Sequence, residues 1–124
     1  MLIDNKIISV LTIKDYKKSL DLAKCLYDSG IVNLDIRLRT QQSKKAIELI
    51  KNSKFKFNIG IGTVLSLEDL YFVKSLGIKY AYSPNTDVKI LNNANKLDIQ
   101  FIPGISNIDN VISAVKCNCK YLKY

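Results

Sequence analysis

The chain alternates between short runs of branched and aromatic residues and longer amphipathic stretches, and this alternation limits its fold more than any other feature. Candidate strands begin near residues 6, 32, 55, 79, 99 and 120, so a strand–helix unit recurs about every twenty to twenty-six residues. Strict alternation of this kind gives a parallel sheet joined by right-handed crossovers. A closed eight-stranded barrel takes roughly 250 residues, whereas these 124 residues hold about five and a half units. Residues 1–124 are therefore one α/β domain, either a complete open doubly wound sheet or an incomplete barrel. Length alone favours the open sheet.

Residues 6–13 (KIISVLTI) read as a buried strand. A helix follows from about Asp15, with Tyr16, Leu20, Ala23 and Tyr27 at helical spacing and Gly30 placed to end it. After a strand over 32–39, Thr40 is placed to cap a helix whose buried stripe is Ala46, Ile47 and Ile50. Residues 55–64 (FKFNIGIGTV) form the third strand, and its two glycines point to close backbone approach near its end. Ser66-Leu67-Glu68-Asp69 reads as a capping box for a helix through Leu70, Val73 and Leu76 that Gly77 ends. The fourth strand is 79–84, after which Thr86 caps a helix bearing Val88, Leu91 and Ala94. The fifth is 99–105, followed by a helix whose apolar side is Ile108, Val111, Ile112 and Val115. Residues 120–124 (KYLKY) begin a sixth strand.

The second strand stands apart from the others. Residues 32–40 (VNLDIRLRT) hold both arginines and alternate strictly between apolar and polar, so Asn33, Asp35, Arg37 and Arg39 share one face. A strand flanked by helices normally has two apolar faces. Its polar face either meets solvent at a sheet edge, with Asp35 pairing Arg37, or lines a site that needs an acid and an anion-binding group together.

Composition removes several function classes. The net charge of +8 sets 19 Lys and Arg against 11 Asp and Glu, and the 17 lysines are spread over nearly every helix, with no cluster longer than Lys17-Lys18 or Lys44-Lys45. A nucleic-acid footprint is concentrated and richer in arginine, so solvated helix faces account for these lysines and no nucleic-acid partner is expected. An attraction to anionic substrates remains compatible with the charge. The absence of histidine removes Ser-His and Cys-His catalysis and leaves carboxylates, Lys, Tyr, Cys or water for proton transfer. Cys25, Cys117 and Cys119 are an odd number without the second ligand pair of a zinc site. With no stretch of signal-peptide or membrane-spanning length, a cytoplasmic protein without membrane association is expected.

In both candidate architectures functional groups collect at the carboxyl ends of the strands. Those ends carry Asp35, Arg39 and Thr40, then Gly62 and Thr63, then Ser83 and Pro84, then Pro103, Gly104 and Ser106, with Lys123 on the last segment. Arg39 and Thr63 suit a carboxylate, the guanidinium by forked charge-assisted bonds and the hydroxyl by a further one. A lysine nearby would capture a carbonyl carbon once neutral, and Asp35 would move protons from a partly desolvated position. Gly60-Ile61-Gly62-Thr63 lacks the third glycine of a dinucleotide loop, and tight packing explains it equally well.

Taken in order and spacing, Leu34-Asp35-Ile36-Arg37-Leu38-Arg39-Thr40, Gly60-Ile61-Gly62-Thr63-Val64-Leu65, Tyr82-Ser83-Pro84, Ile102-Pro103-Gly104-Ile105-Ser106 and Tyr121-Leu122-Lys123-Tyr124 resemble the 2-keto-3-deoxy-6-phosphogluconate / 4-hydroxy-2-oxoglutarate (KDPG/KHG) aldolase family. The resemblance runs from about residue 6 to the end. It implies a (β/α)8 barrel of TIM type, here incomplete, and a class I aldolase that cleaves a 2-keto-4-hydroxy acid to pyruvate and an aldehyde through a lysine Schiff base. It implies no metal or other cofactor, and a homo-oligomer, generally a trimer. Lys123 matches the Schiff-base lysine, Arg39 and Thr63 the groups that hold the pyruvate carboxylate, and Pro84 a residue lining the pocket. Asp35 falls where the family has its acid–base glutamate, one methylene longer. Arg37 replaces a residue that is usually small, and the family's seventh and eighth strands, with their phosphate-binding turns, have no counterpart here. An open sheet edge of that kind is expected to favour self-association. Two alternatives stand beside the aldolase: a catalytically impaired remnant serving as a binding or assembly module of the same fold, and an unrelated open α/β binding domain.

Overall fold

The computed structural model describes residues 7–124. Five strands, β1 (Ser9–Leu11), β2 (Asn33–Arg37), β3 (Asn58–Gly62), β4 (Tyr80–Tyr82) and β5 (Gln100–Ile102), alternate with five helices. These are α1 (Ser19–Asp28, led in by a 3₁₀ turn at Tyr16–Lys18), α2 (Ser43–Lys51), α3 (Leu67–Ser75), α4 (Val88–Lys96) and α5 (Ile108–Lys116). The strands follow sequence order within one sheet. The chain divides into two compact units, one running to Gly60 and one from Ile61 to Tyr124.

In the first unit β1 and β2 pair in parallel, with Val10 opposite Asp35. Leu34 and Ile36 are fully buried with Ala23, Ala46, Ile47 and Ile50, so the expected α2 stripe is the core stripe. The polar face of β2 is not wet, however. Asn33 and Asp35 are 1% and 2% exposed, and the Asn33 side chain donates to the Ile7 carbonyl (3.2 Å) while accepting from the Asn58 amide (2.9 Å). Burial of polar groups is tolerated when hydrogen bonds replace water. The solvent-facing edge reading of residues 32–39 is thereby overturned at Asn33 and Asp35, while Arg37 is half-buried and Arg39 exposed.

The wet strand is instead β1, expected to be buried, which has Val10 at 46% exposure; Lys6, the first residue of that expectation, lies outside the described residues. Helix α1 also differs from its expected stripe. Ala23 is buried as expected, but Leu20 and Tyr27 are exposed and Ser19 is buried. A 3₁₀ turn leads into the helix, and Asp15 caps it by accepting from the Lys17 N–H (3.0 Å). Ser19 tolerates burial because its hydroxyl donates to the Tyr16 carbonyl (2.6 Å).

In the second unit β4 and β5 pair in parallel, Ala81 opposite Phe101. Ile61, Val64, Leu70, Val73, Leu91, Ala94 and Ala114 fill its core. Ser66 caps α3 by accepting from the Asp69 N–H (3.1 Å), while the Asp69 carboxylate accepts from the Leu65 N–H (3.2 Å), so the expected capping signal holds. The stripe expected on α5 does not. Ile108, Ile112 and Val115 are 68%, 45% and 61% exposed, and only Ala114 of that helix is buried. The expected sixth strand is reduced to a single parallel bridge between Gly104 and Lys123.

Candidate active site

The five sequence-predicted site residues divide between the units, and each group is fixed by its own local chemistry. In the first unit, Asp35 lies in the middle of β2, paired in parallel with Val10 of β1, where its carboxyl group is withdrawn from water. Burying a carboxyl group is costly unless hydrogen bonds or a charge partner compensate it, so Asp35 is not a solubilising surface acid. Arg37 closes the strand half-buried, and Arg39 stands exposed two residues later.

The turn that carries Arg39 is pinned by Thr40, which was expected to cap α2. Its hydroxyl does something else: it donates to the Ile13 carbonyl (2.6 Å) and lies 2.9 Å from the Ser43 hydroxyl, which in turn accepts the Thr40 N–H (3.2 Å). The residue at the α2 N-cap is Gln42, and its side chain makes no capping bond. Thr40 thus ties the end of β2 to the segment following β1. A cap and a cross-strand tie both call for a hydroxyl, and Thr40 stands only two positions before the N-cap, which is why the sequence did not separate them.

In the second unit Thr63 follows β3 with φ of 59°. A left-handed backbone is uncommon outside glycine and is a strained outlier for a β-branched residue. The glycine-rich run before it thus leaves the special conformation to the threonine, the residue that resembles a carboxylate anchor. The next residue ties this turn to β4, the Val64 N–H donating to the Tyr82 carbonyl (3.0 Å).

Pro84 lies exposed just past β4, beside a buried Ser83 whose hydroxyl donates to the Asn85 carbonyl. The strand ends are stitched together by backbone bonds. Ser83 N–H donates to the Ile102 carbonyl (3.3 Å), Gly104 N–H to Ser83 (2.9 Å), Lys123 N–H to Pro103 (2.9 Å) and Ile105 N–H to Lys123 (2.9 Å). The second unit therefore brings the backbones of Pro84, Gly104 and Lys123 together at the carboxyl ends of β4 and β5, with the Lys123 side chain exposed.

Thr86, expected to cap α4, serves another contact. Asp87 is the α4 cap, accepting from the Lys89 N–H (2.9 Å) and the Ile90 N–H (3.3 Å), whereas the Thr86 hydroxyl donates to the Gly104 carbonyl (2.8 Å). A Thr-Asp pair offers two N-cap candidates in succession, so only coordinates assign the cap. Among the described residues no group of three or more Cys, Asp or Glu side chains is arranged to hold a metal ion, and no helix is long and apolar enough to cross a membrane.

Comparison with known proteins bears on the family of the chain as a whole. The family described as KDPG and KHG aldolase matches residues 1–124. A 2-dehydro-3-deoxy-phosphogluconate aldolase of Pseudoalteromonas atlantica is 34% identical over 118 residues, which are 95% of this chain and 55% of that protein. The KHG/KDPG aldolase of Escherichia coli K12 is 29% identical over the same shares. Among solved structures, the KDPG aldolase of Legionella pneumophila, captured with pyruvate as a covalent carbinolamine intermediate, superposes with a TM-score of 0.89 at 31% identity. It is covered to 57% by 94% of this chain. The chain thus spans little more than half the length of the relatives it matches.

Proposed function

Because the chain belongs to the KDPG and KHG aldolase family, as a partial (β/α)8-barrel chain, we propose that it contributes to cleavage of a 2-keto-4-hydroxy acid, such as 2-keto-3-deoxy-6-phosphogluconate or 4-hydroxy-2-oxoglutarate, through a Schiff base on Lys123. The Lys123 amine attacks the keto carbon to give a carbinolamine, and loss of water leaves an iminium. With a base taking the proton of the C4 hydroxyl, the C3–C4 bond breaks, its electron pair moves into the iminium and the aldehyde departs. Protonation of the resulting enamine at C3 and hydrolysis of the imine release pyruvate and restore the amine.

Asp35 is the proton carrier in this proposal, and its withdrawal from water gives a carboxyl group the setting that acid–base work near neutral pH demands. Arg39 and Thr63 hold the substrate carboxylate, and Pro84 gives the pocket an apolar wall. The observation that carries the reading is the tie of Lys123, by backbone hydrogen bonds, to the strand ends beside Pro84. The carbinolamine trapped in the Legionella relative supports the same chemistry. A homotrimer working in cytoplasmic carbohydrate breakdown completes the proposal; the three free cysteines suit that compartment.

Incubation with pyruvate and borohydride tests it. Reduction of the iminium fixes a stable adduct, expected on Lys123 by peptide mass mapping, absent in Lys123→Met and reduced in Arg39→Ala. A chain with native circular dichroism and no adduct would reject catalysis through this lysine.

A further inference from the structure

Lys123 owes its position to two backbone hydrogen bonds, one on each side of Gly104: its N–H donates to the Pro103 carbonyl and its carbonyl accepts from the Ile105 N–H, both at 2.9 Å. Gly104 is itself held at both ends. Its N–H donates to Ser83 (2.9 Å), and its carbonyl accepts the Thr86 hydroxyl (2.8 Å) across 18 positions of sequence. Space is the reason for glycine here. A Cβ at this position would lie 2.2 Å from the Pro84 carbonyl oxygen and 2.4 Å from its carbon, against backbone that has no flexible end to swing away. The Thr86 hydroxyl is available for this tie because Asp87 caps α4 in its place.

We propose that Thr86 is a positioning residue for Lys123: its hydroxyl, through the Gly104 carbonyl, locks the end of β5 against the turn after β4 and so fixes the backbone from which the amine reaches the keto carbon. The inference rests on the Schiff-base reading above and adds a residue to it. A lysine has four rotatable side-chain bonds, so the anchor of its backbone sets how often the amine samples attack geometry, and displacement of a reacting group by about 1 Å can cost roughly a hundredfold in rate. Removing the hydroxyl loosens the anchor without touching substrate. The consequence falls on the chemical step, not on pyruvate binding.

Thr86→Val, which keeps the shape and deletes the donor, and Thr86→Ser, which keeps the donor, are compared with the parent by amide hydrogen exchange and by the rate of borohydride trapping as a function of pyruvate concentration. Thr86→Val is expected to speed exchange at Ile105 and Lys123 with little change in α3, and to lower the trapping rate at saturating pyruvate by about tenfold or more with half-saturation unmoved. Thr86→Ser restores both. Unchanged exchange at Ile105 and Lys123 in Thr86→Val overturns the proposal, and so does faster exchange with an unaltered trapping rate. If the parent itself forms no adduct, the Schiff-base reading fails and this inference falls with it; an adduct in the parent that Thr86→Val forms equally fast sinks this inference alone.

Discussion

Thr63 shows how much a single residue can hold. A β-branched side chain at a φ of 59° costs on the order of 1–3 kcal/mol, strain that a glycine would relieve. Thr63→Gly is expected to raise stability by about 1 kcal/mol in urea titrations while weakening pyruvate adduct formation, because the hydroxyl is lost with the strain. Lower stability together with unchanged trapping would show that the threonine serves packing alone. Cys119 makes a second residue-scale case. Burial first, and the neighbouring Cys117 second, push its thiol up to about 11 from 9.0. The folded state therefore favours the protonated thiol. Its contribution to stability is fully present below pH 9 and fades as pH rises toward 11. At pH 8 iodoacetamide is expected to modify the exposed Cys25 well before Cys119, an order readable by peptide mass mapping; equal rates would contradict the burial described here.

At the scale of elements, helix ends were the most legible features wherever one residue type satisfies them. Gly30 and Gly77 end α1 and α3 with φ of 79° and 66°. Each is flanked by the paired bonds of a Schellman turn, from Gly30 to Tyr27 and Ile31 to Leu26, and from Gly77 to Lys74 and Ile78 to Val73. Helices α4 and α5 end the same way, but on Asp98 and Asn118 at 56° and 60°. Both residues are at home in too many other turn positions to announce it. Ser66 is the clearest start signal, and Ser66→Ala is expected to lower stability by about 1 kcal/mol. A loss much below that in thermal or urea unfolding would mean that Asp69 or water meets the freed N–H groups. Thr40 and Thr86 were legible as capping hydroxyls by type and illegible by task, since each serves a contact about twenty residues or more away.

For the molecule as a whole, α5 sets the question. Ile108, Ile112 and Val115 share one face by helical spacing, and that face is bare among the described residues. Exposed apolar clusters of this kind drive association. Sedimentation velocity is therefore expected to show species larger than a monomer, and Ile112→Glu to shift them toward the monomer with a stability change within about 0.5 kcal/mol. A parent that stays monomeric at high concentration would refute this. The sequence by itself determined the alternation of strands and helices, the α2 stripe and the α3 cap, because these follow from side-chain periodicity and from backbone groups a few residues apart. Through the resemblance of their motifs to the KDPG/KHG aldolase family, it also put forward Asp35, Arg39, Thr63, Pro84 and Lys123 as candidates. Only the tertiary structure decided that Asn33 and Asp35 of β2 are buried and β1 wet, that the apolar face of α5 is uncovered, and that Thr86 holds Gly104 beside Lys123. Periodicity states which residues share a face; what covers that face depends on partners brought in from distant sequence.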